Sequence, residues 1–200
     1  MGYFDWHGQP GYFRDITRHF PADAAILDVG CGSAWLADHF RRYTGVDASP
    51  EAIAEATARG RHAVQVNVER GLPFDDESFD GVVLKDLLEH LSDPVRVVRE
   101  AMRVLRPGGQ VFASSPDAQR WVWDDYTHRR PFTRKSFRLL FRDAGFDIER
   151  TGYESVAPGV GIVAGWTRSK RRPLIFRALV WLPFHRRNVW LTAHKPLEAQ

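Results

Sequence analysis

The chain has 200 residues, 44% of them hydrophobic and 26% charged, and a single cysteine. That length suits one domain with a sizeable core, and the composition argues against disorder. A lone Cys31 excludes an internal disulfide and fits a reducing cytosol. The opening residues, MGYFDWHGQPGYF, lack a basic region followed by a long apolar run, so no secretory signal is expected. No run approaches the roughly 20 apolar residues of a spanning helix. The expectation is a cytoplasmic protein, at most peripheral at a membrane surface. The net charge of +3 is unevenly spread, because residues 155–197 hold eight Lys/Arg and no acid. Such a split points to an anionic partner.

In chain order, Tyr12, Phe13, Ile16 and Phe20 recur at helical spacing and predict a helix over residues 10–20. With Trp6, that helix is either a lid over a ligand or ordinary core. Strand one is expected at residues 25–29, followed by a turn with Gly30 and Gly32 and a helix over 33–41. Strand two, 43–46, leads into Asp47, and a helix starts near Pro50 with Ser49 as N-cap. Strands three and four fall at 62–66 and 79–84, separated by an acidic loop at 75–78. A helix from Ser92 or Asp93 to Leu105 should stop at Arg106-Pro107-Gly108-Gly109. Strand five at 110–114, a helix at 134–144, strand six at 146–153 and a last strand at 189–194 complete the pattern. Strands alternating with helices predict a doubly wound α/β sandwich.

A strand, a glycine turn and a helix together present bare backbone N–H groups to a ligand. An acid at the end of the second strand, Asp47, can accept both hydroxyls of a ribose. A dinucleotide fingerprint would place glycine at position 35, where this chain has Trp35, and no G-K-[ST] follows a glycine loop. What remains is a cofactor with one ribose and no phosphates.

Four ordered segments within residues 26–117 carry a resemblance: LDVGCGSAWLA, GVDASPEAI, NVERGLPFDDESFDGVVLKDLLEHL and VLRPGGQVFASSPD. In these the chain resembles the class I S-adenosylmethionine-dependent methyltransferases with a type 11 methyltransferase domain. The resemblance implies a Rossmann-like sheet of seven mostly parallel strands with the last antiparallel, and S-adenosyl-L-methionine as cofactor. It implies that Asp28, Gly30 and Gly32, with Cys31 between them, line the methionine end of the cofactor. Asp47 would hold the ribose, with Ala48 and Ser49 beside the adenine. Asn67 stands where relatives often have an aspartate for the adenine amino group, with Val68 next to it. Lys85 and Asp86 stand on the ligand-binding rim. Many relatives have a third glycine where this chain has Ala34, a change that an αR backbone would tolerate. Cys31 reads as a small packing residue and not as a nucleophile. No metal is expected, since the acids at 75–78 lack histidines at ligand spacing. Glu89-His90 has two readings, helix capping with packing, or chemistry in the cleft.

The acceptor should meet the loop after strand five, SPDAQRWVWDDYTHRRPFTRKSF. Its DDYTHRRPFT core also recurs in the family as an aspartate, a Thr-His pair and a Pro-Phe-Thr or Pro-Phe-Ser. His128 is the candidate general base and Asp125 its orienting partner. Arg129 and Arg130 would bind an anionic acceptor, with Tyr12 and Tyr126 as further acceptor contacts. The competing reading is that His128 and the arginines tie a long loop to the body. Thr133 should cap the next helix. Between strands six and seven lies a basic insert, residues 157–187, whose Pro173 and Pro183 bracket an apolar stretch. It fits an interfacial helix on a membrane surface, a cap over the acceptor pocket or a dimer contact. No nucleic-acid module is recognisable, so nucleic acid is not an expected partner, and the chain should be a monomer or homodimer. The expected reaction is methyl transfer to a small-molecule or lipid-linked acceptor, on oxygen. The alternatives are an RNA methyltransferase and a non-catalytic cofactor-binding partner.

Overall fold

The computed structural model describes residues 14–155 and 187–197. Seven strands form one sheet: β1 (Ala25–Val29), β2 (Arg42–Asp47), β3 (Ala63–Gln65), β4 (Phe79–Lys85), β5 (Leu105–Pro116), β6 (Asp147–Ser155) and β7 (Arg187–His194). The spatial order is β3-β2-β1-β4-β5-β7-β6. β7 runs antiparallel to both of its neighbours, while the other pairings are parallel. Helices α1 (Arg14–Thr17), α2 (Pro50–Ala58), α3 (Pro94–Val104) and α4 (Arg134–Asp143) complete the described elements, with several short 3₁₀ turns. Both faces of the sheet are covered, which is why the inner strands read as continuous apolar runs.

Period two sorts the strand side chains between two cores. Leu27, Val82 and Leu84 pack with Val97, Val98 and Ala101 of α3 and with Phe137 and Phe141 of α4. Ile26, Val83 and Phe112 pack on the other face with Ile16, Phe20, Leu36, Phe40 and Ala56. Each of these large side chains contributes roughly 1.5–3 kcal/mol by leaving water.

Several expectations need correction. No α-helix follows the glycine turn; residues 35–39 make only a 3₁₀ turn before β2 begins. Ala34 enters that turn in the left-handed region at φ 56°, so the tolerant αR backbone expected there is not what the chain adopts. Fewer than two helical turns of sequence then remain, and Arg61 clamps them through Asp38 (2.8 Å) and the Ser33 carbonyl (3.0 Å). α3 ends at Val104, in keeping with the expected stop at Arg106-Pro107-Gly108-Gly109, but β5 opens at once at Leu105 and not at residue 110, with Leu105 paired to Phe79 across a bulge. The expected N-terminal helix is described only from Arg14 onward. Trp6, Tyr12 and the basic insert up to residue 186 lie outside the described residues.

Candidate active site

The glycine turn is held against the end of β2. Gly30 and Cys31 both donate their N–H groups to the Val46 carbonyl, at 2.8 and 3.0 Å. The Asp47 carboxylate accepts from Gly32 N through Oδ2 and from Ser49 N through Oδ1, each at 2.9 Å. One acid therefore joins both loops, and each of its oxygens keeps a second lone pair. Gly30 has φ 77°, and a Cβ there would lie 2.9 Å from Leu87 Cδ1, so the turn after β4 packs directly on it. Ser49 also caps α2 as expected, accepting from Ala52 N.

Asp28 lies beneath this turn, buried, with Oδ2 accepting from the Tyr43 hydroxyl at 2.8 Å. Burial is the main influence on its carboxyl; Tyr43 opposes it, Asp47 reinforces it, and the pKa rises to about 7. Burial also pushes the Cys31 thiol up, helped by the charges of Asp28 and Asp47, so it is no nucleophile. Instead it fills the space above Gly45, where a Cβ would come within 2.7 Å of its sulfur. The guanidinium groups of Arg59 and Arg61 stand over the Trp35 ring, 4.4 and 4.1 Å from its centroid.

The remaining cofactor candidates are more engaged than expected. Asn67 caps the 3₁₀ turn at residues 68–70, its oxygen accepting from Glu69 N at 3.1 Å, and Val68 is buried. The Ala48 carbonyl accepts from Gln65 Nε2. The ammonium of Lys85 pairs with Asp86 at 3.0 Å and faces Glu154 at 3.7 Å. Asp86, at φ 49°, accepts from Ser114 Oγ and Asn188 Nδ2, which fixes the rim of β4 to β5 and β7.

On the acceptor side, the turn after β4 meets the loop after β5. His128 Nδ1 lies 2.6 Å from the Val122 carbonyl. A carbonyl only accepts, so Nδ1 carries the proton and Nε2 keeps its lone pair. The expected orienting partner was Asp125, but its Oδ2 is 3.7 Å from His128 Nε2. Its Oδ1 instead accepts from Thr127 Oγ1 and Thr127 N, at 2.6 and 2.9 Å. The orienting group is the Val122 carbonyl, swung toward the ring by the 3₁₀ turn at residues 120–124.

Sequence reasoning left the role of His90 open. Its Nδ1 lies 3.0 Å from Thr127 Oγ1, whose single proton goes to Asp125, so Nδ1 is the donor in that contact. The two rings stand 4.7 Å apart, and burial together with His128 lowers the His90 pKa. Glu89 beside them is fully buried, and its carboxyl is held well above the usual range by burial and by Asp86. The adjacent Glu89-His90 and Thr127-His128 pairs were the available sequence signal.

Arg129 and Arg130 tie their loop to the turn after β4. Their backbone N–H groups donate to the Glu89 carbonyl at 2.8 and 3.1 Å, and the Arg129 guanidinium holds Ser92 Oγ. Both side chains are exposed, as is Tyr126. Arg130 lines a groove of about 290 Å³ between α3 and α4, which contains neither the histidines nor the cofactor loops.

An open α/β sheet with an acid-tied glycine turn at its carboxyl edge defines a nucleoside-binding fold of the doubly wound class. The comparisons name it. The family model described as "Methyltransferase domain" matches residues 27–113. The chain is 33% identical over 146 residues to a Mycolicibacterium smegmatis protein named a probable S-adenosylmethionine-dependent methyltransferase, covering 66% of this chain and 56% of that one. It is 36% identical over 104 residues to a ubiquinone biosynthesis O-methyltransferase of Xanthomonas oryzae pv. oryzae, covering 47% and 44%. The chain thus spans about half the length of the curated relatives it matches. The fold recurs in an S-adenosylmethionine-dependent methyltransferase of Mesorhizobium loti, with TM-score 0.67, 19% identity and coverage of 91% and 97%. It also recurs in the [4+2]-cyclase SpnF, with TM-score 0.68, 22% identity and coverage of 98% and 87%. Residues 27–113 thus carry a methyltransferase domain of the class I S-adenosylmethionine-dependent kind, and S-adenosyl-L-methionine is the cofactor that family and fold imply.

The residues fit that cofactor. Asp47 has lone pairs to spare at the position of a ribose acceptor, and the glycine turn exposes backbone. Asp47 lies close enough to raise the cost of ionising Asp28, a negative field suited to a ligand bearing ammonium and sulfonium charges.

Proposed function

We propose that this chain transfers a methyl group from S-adenosyl-L-methionine to an oxygen of a small-molecule or lipid-linked acceptor. When bound, the cofactor supplies a methyl group on a sulfonium, open to in-line displacement. Asp28, Gly30 and Gly32 would hold its methionine end, and Asp47 and Ser49 its nucleoside. The observation that carries the reading is His128, whose Nδ1 is committed to the Val122 carbonyl and whose ring stands 4.7 Å from that of His90, on the turn whose Leu87 packs against Gly30. The Nε2 lone pair of His128 is placed to take the proton of a hydroxyl acceptor. Lys85, Asp86, Ser114 and Asn188 fix the rim between the two halves of the site. The O-methyltransferase name carried by similar proteins supports oxygen as the methylated atom, and a quinone-like lipid as one acceptor class.

Calorimetry and turnover test this together. Asp47→Ala should weaken S-adenosylmethionine binding at least tenfold by removing the ribose acceptor. His128→Asn should leave that binding unchanged and slow acceptor-dependent release of S-adenosylhomocysteine by roughly 10²–10⁴. Wild-type turnover in His128→Asn would remove the histidine from the chemistry.

A further inference from the structure

Tyr43 is buried in β2, its ring in the same core as Ile16, Leu36 and Phe40, and its hydroxyl donates to Asp28 Oδ2 at 2.8 Å. The sheet register explains the reach. Asp28 pairs with Gly45 across the parallel strands, and Tyr43 stands two residues before Gly45 on the same face of β2. A Cβ at Gly45 would come within 2.9 Å of the Tyr43 hydroxyl and 2.7 Å of Cys31 Sγ. The bare glycine therefore leaves the path along which the phenol runs to Asp28, and Cys31 of the glycine turn closes its other side.

The groups that face Asp28 come from β2, β4 and the glycine turn. Burial works most strongly against its charge, and Asp47 at the end of β2 adds to that. The Tyr43 hydroxyl and the Lys85 ammonium of β4 favour the charge. Cys31 stays a neutral thiol and Tyr43 a neutral phenol, since burial above all raises both. The hydroxyl is thus a donor, and a donor stabilises a carboxylate more than a carboxylic acid. Tyr43 therefore acts on any ligand that reads the charge of Asp28.

We propose that Tyr43 is a positioning residue for S-adenosylmethionine: it fixes the Asp28 carboxyl beneath the glycine turn and favours its ionisation against the cationic methionine end. The inference deepens the proposed function and rests on its assignment of Asp28 to that end. The positive charge of the ligand drives the Asp28 proton to solvent, so cofactor uptake and proton release are one event. Below about pH 7 the cofactor has to displace that proton, and its affinity rises with pH by at most about tenfold per unit. Without the hydroxyl the proton is held to higher pH, and the rise moves with it.

The test is calorimetry on the full chain between about pH 5.5 and 7.5, in buffers of different ionisation enthalpy so that released protons are counted. The ligands are S-adenosylmethionine and 5′-methylthioadenosine, which shares the nucleoside but carries neither ammonium nor sulfonium. Wild type should bind S-adenosylmethionine more tightly as pH rises, releasing a proton at pH 6 and levelling off near 7. Tyr43→Phe should bind it roughly three- to tenfold more weakly at pH 7, with affinity still rising at pH 7.5. Asp28→Asn should remove the rise. Affinity for 5′-methylthioadenosine should be independent of pH and unchanged in both variants, which also controls for folding. Equal weakening of both ligands in Tyr43→Phe, or wild-type affinity for S-adenosylmethionine at every pH, overturns the role of Tyr43 and leaves the cofactor reading standing. So does S-adenosylmethionine binding to wild type without proton release at pH 6. A wild-type chain that binds neither ligand overturns the cofactor reading and this inference with it.

Discussion

Asp28 links the cofactor turn to the stability of the whole chain. An unfolded aspartate titrates near 3.8, and burial raises this one to about 7. The folded state therefore holds a proton that the unfolded state has lost, so its contribution is complete below pH 3.8 and disappears as pH rises to about 7. Asp28→Asn keeps an oxygen for the Tyr43 hydroxyl and removes the titration. The stability advantage of that variant over the cofactor-free wild type should grow between pH 4 and 7, by at most roughly 1.4 kcal/mol per pH unit, and then level off. Thermal melts at several pH values check this; a pH-independent difference would mean that the wild-type carboxylate is already charged throughout. At this scale the sequence revealed unevenly. The place of Asp47 at the end of β2, tied to the glycine turn, was legible because the end of a strand can be counted along the chain. His90 was not, because its role depends on Thr127 and Asp125, brought to it only by tertiary packing.

Among the elements, caps were the most legible feature, since they depend on neighbours in sequence. Ser49, Asp93 and Thr133 each accept from the backbone N–H three residues on. Thr133 does more, because Ser136 returns a hydrogen bond to the Thr133 backbone in a capping box. Thr133→Ala should therefore cost about 1 kcal/mol and lower Tm by roughly 2–4 °C. An unchanged melt would mean that α4 is held by Phe137 and Phe141 in the core irrespective of its cap. The helix expected after Gly32 failed for a reason that is also local. Left-handed backbone at Ala34 costs roughly 1–2 kcal/mol for a residue with a Cβ, and only the packed structure, where its methyl is fully buried, shows that cost being met.

At the scale of the whole molecule, the sheet order explains where the chemistry can lie. β1, β2, β4 and β5 all deliver their carboxyl ends to one edge, where the cofactor turn and the histidine cluster sit. Alternation of strands and helices was enough to foresee this arrangement; the antiparallel β7, inserted between β5 and β6, came from resemblance alone. β6 ends and β7 begins at that same edge, since Pro116 pairs with Asn188 and Ser155 with Arg187. Replacing residues 156–186 by an Asn-Gly turn, which joins antiparallel strands directly, should leave Tm within about 4 °C of wild type and cofactor binding intact. If the basic residues of that stretch dock on anionic membranes, the full chain should float with such liposomes and the shortened one should not; equal flotation would remove the membrane partner. A stretch that departs from and rejoins a sheet at one residue pair is a cassette. Exchange of such a cassette leaves every strand register untouched, so whatever partner the stretch serves can change between lineages while the sheet and its glycine turn are inherited unchanged.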